Sequence, residues 1–122
     1  MDCLFCKIIN KELDSKVLYE DELVMVILDA FPNVDGHCLI IPKVHYENFL
    51  EIPDSLLLHI NNIAKTYTPL LMKKLNCDAL TILVNYGDSQ KIKHYHLHLL
   101  PNYGKCLEPA KKVEDVFESL RG

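Results

Sequence analysis

The chain contains 122 residues, of which 49% are hydrophobic and 25% are charged. This composition is typical of one globular domain over residues 1–122, which would bury about two-thirds of its unfolded surface. The formal net charge of −4 argues against a protein that binds a nucleic-acid polymer, while it leaves room for a single nucleotide. No apolar run approaches the roughly 18 residues that span a bilayer, and the N-terminus lacks the pattern of a signal peptide.

The cysteine content indicates a reducing compartment. Five cysteines, an odd number, do not form a disulfide framework. We therefore expect a cytoplasmic protein without a membrane partner, in which the close pair Cys3 and Cys6 binds a metal or carries redox chemistry.

The first half of the chain predicts a short helical turn followed by three strands. The helical turn follows the cysteine pair. β-Branched and aromatic residues dominate residues 16–19 and 23–29, which are separated by an acidic turn and so predict two antiparallel strands. A third strand over residues 37–42 is predicted to end at Pro42.

The second half predicts a long helix, two strands and a terminal helix. Residues 54–75 carry apolar side chains at spacings of three and four, which is the helical pattern. We expect residues 53–55 to supply the cap of this helix and Pro69 to kink it. Strands are predicted over residues 79–84 and 94–101, and an amphipathic helix over residues 109–120. This order predicts an α+β domain with an antiparallel sheet.

Histidine alternates strictly with apolar residues in the last predicted strand. Successive side chains of a strand point to opposite faces and residues rise ~3.3 Å each, so His94, His96 and His98 are expected on one face. Three of the six histidines of the chain lie in this stretch. Such a concentration indicates metal binding or phosphorus chemistry rather than an ordinary polar face.

Metal binding by all three histidines of the strand is excluded by their spacing. Three collinear imidazoles that span ~13 Å cannot all reach one ion with bonds of ~2.0 Å. A better tetrahedral set for a structural zinc ion is Cys3, Cys6, His45 and His94. The same spacing also allows a buried or redox cysteine pair with two unrelated histidines.

If His94 binds a metal, His96 and His98 are left for chemistry. A neutral imidazole, with a reference pKa of ~6.5, can attack phosphorus, and a second imidazole can orient it or move a proton. Asp29 could accept hydrogen bonds from both hydroxyls of a ribose, although a solvated strand-end acid is an equally good interpretation. Asn85 could donate to a phosphate oxygen. Three lysines near the histidines could offset phosphate charge or simply be solvated, namely Lys43, Lys91 and Lys93.

These residues give the sequence a resemblance to the histidine triad (HIT) family of nucleotide hydrolases and transferases. The stretch from His94 to Leu100 is similar to the family signature, in which three histidines alternate with apolar residues. Other stretches agree in the same order: residues 4–9, Asp29, residues 36–45, and Asn85 before a glutamine-containing loop.

The resemblance implies a fold, a homodimer and a role for individual residues. The fold would be a five-stranded antiparallel sheet with two main helices, continued across the homodimer. His96 would attack the α-phosphate of a purine nucleotide and become nucleotidylated, His98 would contact phosphate, and His37 would fix the ring of the nucleophile. The nucleotide would be bound by Leu4, Phe5, Ile8, Leu28, Asp29, Ala30, Asn85, Gln90 and Lys91. In members that keep the cysteine pair, a structural zinc corresponds to Cys3, Cys6, His45 and His94, and the chemical step requires no metal.

The sequence departs from the family pattern around the leaving group. The loop before the triad is shorter than usual and has Ser89 where glycine is expected. Lys91 stands where some members carry a serine that assists the leaving group, and the tail lacks the Trp-Pro-Pro-Gly ending of the phosphoramidase branch. The substrate is therefore left open between a phosphoramidate and a dinucleoside polyphosphate.

Two other functions fit the same residues. One is a zinc-dependent hydrolase in which His96 and His98 bind a catalytic ion. The other is a non-catalytic nucleotide-binding or interaction protein that retains the pocket.

Overall fold

The computed structural model describes residues 3–102 and 111–121 of the chain. The described elements are α1 (Leu4–Ile9), β1 (Val17–Glu20), β2 (Val24–Leu28), β3 (Cys38–Pro42), α2 (Asp54–Leu75), β4 (Ala79–Leu83), a 3₁₀ turn (Gly87–Ser89), β5 (Leu97–Asn102) and α3 (Val113–Arg121). The strands form one antiparallel sheet in the order β1-β2-β3-β5-β4. The predicted five-stranded antiparallel sheet is therefore confirmed.

Both faces of the sheet centre are covered, which explains why β2 and β3 are apolar at every position. All five residues of each strand are buried. On one face they form the main core with β5, α2 and α3, and on the other face a smaller core with α1. The short helix α1 therefore closes the face of the sheet that lies opposite the long helix.

The helix α2 spans the predicted residues, and its cap lies in the predicted stretch 53–55. Pro53 is the N-terminal cap, and no side chain makes a capping hydrogen bond there. Its backbone carbonyl accepts from the amides of Leu56 and Leu57. Pro69 lies inside the helix without ending it, and Asn76 ends it in the left-handed conformation with a φ of 55°.

A half-buried contact between Asp21 and His59 joins α2 to the turn between β1 and β2. Asp21 accepts hydrogen bonds from the Leu23 and Val24 amides and from the Tyr19 hydroxyl, and its carboxylate lies 2.8 Å from His59 Nε2 on α2. Burial alone would raise the pKa of Asp21, but these partners outweigh it and lower the pKa to about 2. The acidic turn is thus a structural contact between the sheet and the long helix.

The histidine-bearing segment begins as a bend rather than as a strand. β5 starts at Leu97, so His94 and His96 precede the paired residues of the sheet. The prediction of a strand over residues 94–101 is therefore wrong at its start. Alternation nevertheless persists, because Tyr95, Leu97 and Leu99 pack in the main core.

The last helix, α3, begins at Val113, and residues 109–110 of the predicted helix lie outside the described residues. Among the described helices, none combines the length and the apolar character that a membrane span requires.

Candidate active site

The site lies on the α1 face of the sheet, where β5 begins. His98 pairs with Leu39 of β3 and with Leu83 of β4, so its side chain lies beside the apolar residues that α1 covers. The Phe5 ring of α1 contacts the His96 ring edge-on, with centroids 4.9 Å apart. The imidazoles of His96 and His98 are 4.7 Å apart between centroids. The sheet and α1 therefore gather these two rings into one partly enclosed site.

His96 is held in a single tautomer by its own segment. Its Nδ1 lies 2.7 Å from the backbone carbonyl oxygen of His94. Because a carbonyl can only accept, Nδ1 carries the proton and Nε2 keeps its lone pair. Burial lowers the pKa of His96, although the His94 carbonyl and the Asp29 charge act in the other direction. At neutral pH the ring is consequently a neutral imidazole with Nε2 as its nucleophilic atom.

His37 contacts His98 and not the expected partner. The Asn33 amide donates to His37 Nδ1 at 3.1 Å, so the proton of neutral His37 is on Nε2. That nitrogen lies 2.9 Å from His98 Nδ1 and donates to it. The prediction that His37 fixes the ring of His96 is therefore wrong in its partner. His37 fixes His98, because its position before β3 faces the paired residues of β5.

This chain of hydrogen bonds sets the tautomer of His98. Since Nδ1 of His98 accepts from His37, the proton of neutral His98 is on Nε2. The Asn85 side-chain nitrogen, just after β4, lies 3.5 Å from Nε2. Because both atoms carry protons in this tautomer, the amide group has to be turned over for its oxygen to accept from Nε2–H. Burial lowers the pKa of both His37 and His98 to about 4, and the adjacent His96 adds to the effect. His98 thus offers a neutral N–H next to the nucleophile.

Asp29 is fixed at the end of β2, close to these histidines. Its Oδ1 accepts from the Phe31 amide at 2.9 Å, and its Oδ2 lies 3.7 Å from His37 Nε2. Burial raises its pKa, while the Phe31 amide and the neighbouring imidazoles of His98 and His96 oppose the rise. A shallow cavity next to it is lined by Leu28, Asp29, Pro32, Asp35, Gly36, His37, Lys111, Val113 and Val116. The carboxylate is therefore partly buried at the edge of a concave surface.

The apolar residues expected to contact the base do not all lie on the histidine face of the sheet. Phe5 and Ile8 are buried on the α1 face, beside the site, whereas Leu4 is 41% exposed. Leu28 packs in the main core on the opposite face and also lines the cavity. Ala30 is exposed. The structure thus brings Phe5 and Ile8 to the histidine face and leaves Leu4 and Ala30 at the surface.

The loop before the triad is held by backbone carbonyls. Gln90 is 4% exposed, and its side-chain amide donates to the Glu47 carbonyl at 2.6 Å. Lys91 and Lys93 are exposed, and their amines donate to the carbonyls of Asp88 and Gly87 at 3.4 and 2.8 Å. Lys43, which we considered as a counter-charge for phosphate, forms an ion pair with Glu20 at 2.6 Å.

A second cluster, formed by Cys3, Cys6, His45 and His94, could hold a metal ion. Its four ligand atoms lie within 4.8 Å of one another. The Cys3 and Cys6 sulfurs are 3.4 and 3.6 Å from His94 Nδ1, and Cys6 Sγ is 3.3 Å from His45 Nδ1. A tetrahedral ion with bonds of ~2.3 Å to sulfur and ~2.0 Å to nitrogen requires sulfur-to-nitrogen distances of about 3.5 Å. The four residues therefore fit one tetrahedral ion.

The hydrogen bonds of the ligand side chains also leave lone pairs available for a cation. His94 Nε2 lies 2.8 Å from the Pro42 carbonyl and donates to it, which leaves a lone pair on Nδ1. This Nδ1 lies 3.1 Å from His45 Nδ1, the distance of two nitrogen ligands on one ion. Burial, followed by the neighbouring Cys3, raises the pKa of the Cys6 thiol to about 11, and burial lowers the pKa of His94 to about 4. A bound cation would stabilise thiolates and neutral imidazoles in this arrangement.

Sequence reasoning missed the backbone groups that orient the site. The amide of Asn33 and the carbonyls of Pro42 and His94 each fix a histidine of the two clusters, and the Glu47 carbonyl fixes Gln90 in the loop before the triad. No sequence signal could have identified them, since every residue carries these groups and only the fold decides where they point.

Comparison with known sequences identifies relatives along most of the chain. It is 45% identical to an uncharacterized HIT-like protein of Methanocaldococcus jannaschii, over 98% of this chain and 99% of that protein. It is 39% identical to the adenylylsulfatase HINT3 of Arabidopsis thaliana, over 92% of this chain and 58% of that protein. It is 40% identical to the adenosine 5'-monophosphoramidase HNT1 of Saccharomyces cerevisiae, over 81% of this chain and 61% of that protein. The chain thus spans less than two-thirds of these last two relatives.

Solved structures share the fold. A hypothetical histidine triad nucleotide-binding protein from Sulfolobus tokodaii matches with a TM-score of 0.87 and 34% identity, over 98% of this chain and 89% of that one. A Zn-bound histidine triad family protein from Mycobacterium smegmatis matches with a TM-score of 0.90 and 29% identity, over 99% of this chain and 91% of that one. Residues 10–105 match the sequence model of the HIT domain. The chain therefore belongs to the HIT, or histidine triad, domain family.

Proposed function

We propose that the protein is a hydrolase that cleaves a bond at the α-phosphorus of a purine nucleoside phosphoramidate or dinucleoside polyphosphate. One observation carries the proposal: the His94 carbonyl holds the Nδ1 proton of His96 at 2.7 Å and leaves Nε2 as a free nucleophile beside neutral His98. The relatives named as an adenylylsulfatase and an adenosine 5'-monophosphoramidase support an adenosine nucleotide as the substrate.

In the first step, His96 Nε2 uses its lone pair to form a bond to the α-phosphorus. The bond from phosphorus to the leaving nitrogen or oxygen breaks, and its electron pair leaves with that group. His98 Nε2–H, on a ring 4.7 Å from that of His96 between centroids, donates a hydrogen bond to the departing atom or to a phosphate oxygen. A leaving amine takes its proton from solvent, and the proton released in the second step balances it. The nucleotidylated imidazole is cationic, and its Nδ1–H stays on the His94 carbonyl.

In the second step, water attacks the phosphorus and the bond from Nε2 to phosphorus breaks. His96 recovers its lone pair, and the products are a nucleoside monophosphate and a released proton. Burial and the adjacent imidazoles lower the pKa of His98 to about 4, so the ring stays neutral in both steps and acts as a hydrogen-bond donor through Nε2–H.

The nucleotide would be bound between the end of β2 and α1. Asp29 offers Oδ2 to the ribose hydroxyls, since Oδ1 is already bonded to the Phe31 amide. Phe5 and Ile8 would contact the base on the histidine face, with Leu4 and Ala30 beside it at the surface, while Leu28, in the main core on the opposite face, would support Asp29 from below. Asn85, Gln90 and Lys91 would contact the phosphates and the leaving group.

The cluster of Cys3, Cys6, His45 and His94 would hold a structural zinc ion. Zinc accepts two thiolates and two imidazoles in a closed tetrahedral site, which leaves no open position for a substrate. Elemental analysis should find one zinc per chain, and Cys3→Ser should lose it while His96→Asn keeps it. Loss of the metal from His96→Asn would favour the catalytic-zinc hypothesis instead.

We propose that the protein is a homodimer that pairs along β4. This strand is at the edge of the sheet, and Ile82 on it is 52% exposed. An exposed edge strand is a template for pairing with another copy, which would continue the sheet. Sedimentation should give twice the 14.1 kDa mass of one chain, and a monomer at all concentrations would contradict this.

We also propose a cytoplasmic location and one domain over residues 1–122. The metal cluster requires reduced thiols, which a reducing compartment maintains. α3 packs against α2 and β1, so the terminal helix belongs to the same core.

A panel of adenosine and guanosine phosphoramidates and dinucleoside polyphosphates, together with adenylylsulfate, tests the activity. We expect release of a nucleoside monophosphate by wild type and no release by His96→Asn, with nucleotide binding retained. If wild type binds nucleotides and hydrolyses none of the panel, the result would favour a non-catalytic nucleotide-binding protein. Equal activity of His96→Asn and wild type would show that His96 is not the nucleophile.

A further inference from the structure

The metal cluster and the candidate nucleophile share one residue, His94. The His94 ring supplies Nδ1 to the cluster, and its backbone carbonyl accepts the Nδ1 proton of His96. We propose that His94 is a positioning residue through which closure of the metal cluster controls the reactivity of His96. This inference rests on the proposed function of His96 and assigns the metal cluster a second role besides stabilising the fold.

The His94 ring is restrained at both of its nitrogens. Nδ1 points into the cluster, and Nε2 donates to the Pro42 carbonyl at the end of β3. The ring is fully buried, with no exposed surface. A ring held in this way fixes the χ angles of His94 and leaves little freedom for the peptide group that carries the carbonyl.

The backbone next to His94 is also tied to the cluster. The amide of Tyr95 donates to the carbonyl of Tyr46 at 2.7 Å, one residue after the ligand His45. The two histidine ligands come from segments 49 residues apart in sequence. Closure of the cluster therefore fixes the segment around residue 45 against the segment around residue 94. The position of the His94 carbonyl, which bonds to His96, depends on this contact.

A third connection runs through α1. Cys3 caps this helix by accepting from the Cys6 amide at 3.4 Å, so both cysteines lie in its first turn. Phe5, between them, contacts the rings of His94 and His96 edge-on, at 5.8 and 4.9 Å between centroids. Opening of the cluster would release the helix that covers one side of the nucleophile.

Each connection affects the same property of His96, the orientation and tautomer of its ring. Without the fixed His94 carbonyl, the proton is free to exchange between Nδ1 and Nε2, and only the Nδ1–H form is nucleophilic at Nε2. Loss of a residue that orients a reactive group typically costs about 10- to 100-fold in activity. We expect this loss in kcat. KM reports separately on α1, because Leu4, Phe5 and Ile8 of the proposed base site lie on the helix that Cys3 caps.

The experiment compares zinc-loaded protein, chelator-stripped protein and protein reloaded with Zn²⁺. The matched variants are His45→Ala, which opens the cluster at the histidine ligand that lies outside the His94–His98 segment, and His45→Cys, which restores four metal ligands. Cys77→Ser is the control, since Cys77 is a buried free cysteine outside the cluster. The readouts are the ¹⁵N shifts of the His96 ring, the rate at which a phosphoramidate labels His96, and nucleotide affinity.

We expect ring shifts of a pure Nδ1–H tautomer in loaded wild type, His45→Cys and Cys77→Ser. Folded stripped protein and His45→Ala should show averaged shifts and, with the nucleotide site saturated, label about 10- to 100-fold more slowly. If the stripped protein unfolds by circular dichroism, the comparison of His45→Ala with His45→Cys, at a temperature where both are folded, decides the question.

Unchanged ring shifts and labelling in a folded protein with an open cluster would overturn the proposal. If loaded wild type turns over substrate without labelling His96, the proposed function fails. The ¹⁵N shifts would still decide whether the cluster orients the His96 ring.

Discussion

Acidification should destabilise the protein through its buried neutral imidazoles. His37 and His98 are hydrogen-bonded to each other, and burial lowers the pKa of both to about 4. In the unfolded chain each imidazole has a pKa of ~6.5. Between these values the unfolded state binds two protons that the folded state does not, so stability is full above pH 6.5 and falls as the pH decreases toward 4.

The size of the effect follows from the width of this window. Each extra proton on the unfolded chain gives a slope of about 1.4 kcal/mol per pH unit. From pH 6.5 to pH 5, each histidine therefore reduces the free energy of unfolding by about 2 kcal/mol, and the pair by about 4 kcal/mol. This is a large part of the roughly 5–15 kcal/mol that a domain of this kind possesses.

Urea unfolding at a series of pH values measures the slope. His98→Gln removes one of the two imidazoles and should reduce the loss between pH 6.5 and pH 5 by about 2 kcal/mol. Asn85→Ala is the matched control, because it removes a partner of His98 but no imidazole. An equal slope in His98→Gln and wild type, or an NMR titration of His98 near pH 6.5, would refute the assigned neutral pair.

Three further substitutions test the fold and the leaving-group side of the site. Gly36→Ala should reduce the free energy of unfolding in urea by more than ~2 kcal/mol, because the residue has a φ of +84° and its new Cβ would collide with the Leu75 side chain of α2. Gly87→Ala is the comparison, since its φ is +78° but open space surrounds it, and it should cost only about 1 kcal/mol. Asp21→Asn should lose about 1–2 kcal/mol at pH 7 by weakening the bond to His59, and the difference should disappear as the pH falls through about 2, where the carboxyl protonates. Lys91→Ser should lower kcat/KM roughly two- to fivefold for a dinucleoside polyphosphate, whose leaving group is anionic. For a phosphoramidate with a neutral leaving amine, kcat/KM should be unchanged. An equal decrease for both substrates would show that Lys91 stabilises the fold and does not contact the leaving group.

Side-chain patterns were sufficient to predict the sheet, the long helix and the membership of the metal cluster. The apolar runs of β2 and β3 reflect burial on both faces, and the spacing within α2 reflects one buried stripe. The argument that three collinear histidines cannot share one ion separated His94 from His96 and His98. That separation agrees with the structure, in which the ring of His94 turns to the cysteines.

What the sequence could not predict depends on the backbone and on long-range pairing. The cap of α2 is the carbonyl of Pro53, and the start of β5 is set by its pairing with β3. The partner of His37 follows from the register between β3 and β5, which places Leu39 opposite His98. A pattern of residue types contains no such register, so the implied contact with His96 was assigned to the wrong imidazole.

The central claim, that His96 is the nucleophile, is tested most directly by trapping its nucleotidyl adduct. Zinc-loaded protein is mixed with an adenosine phosphoramidate and denatured at alkaline pH within milliseconds. Its peptides are then analysed by mass spectrometry. We predict one nucleoside monophosphate on the peptide that contains His96, at a level that rises before steady state, and none in His96→Asn. Complete turnover by wild type with no adduct on that peptide at any time would contradict the account.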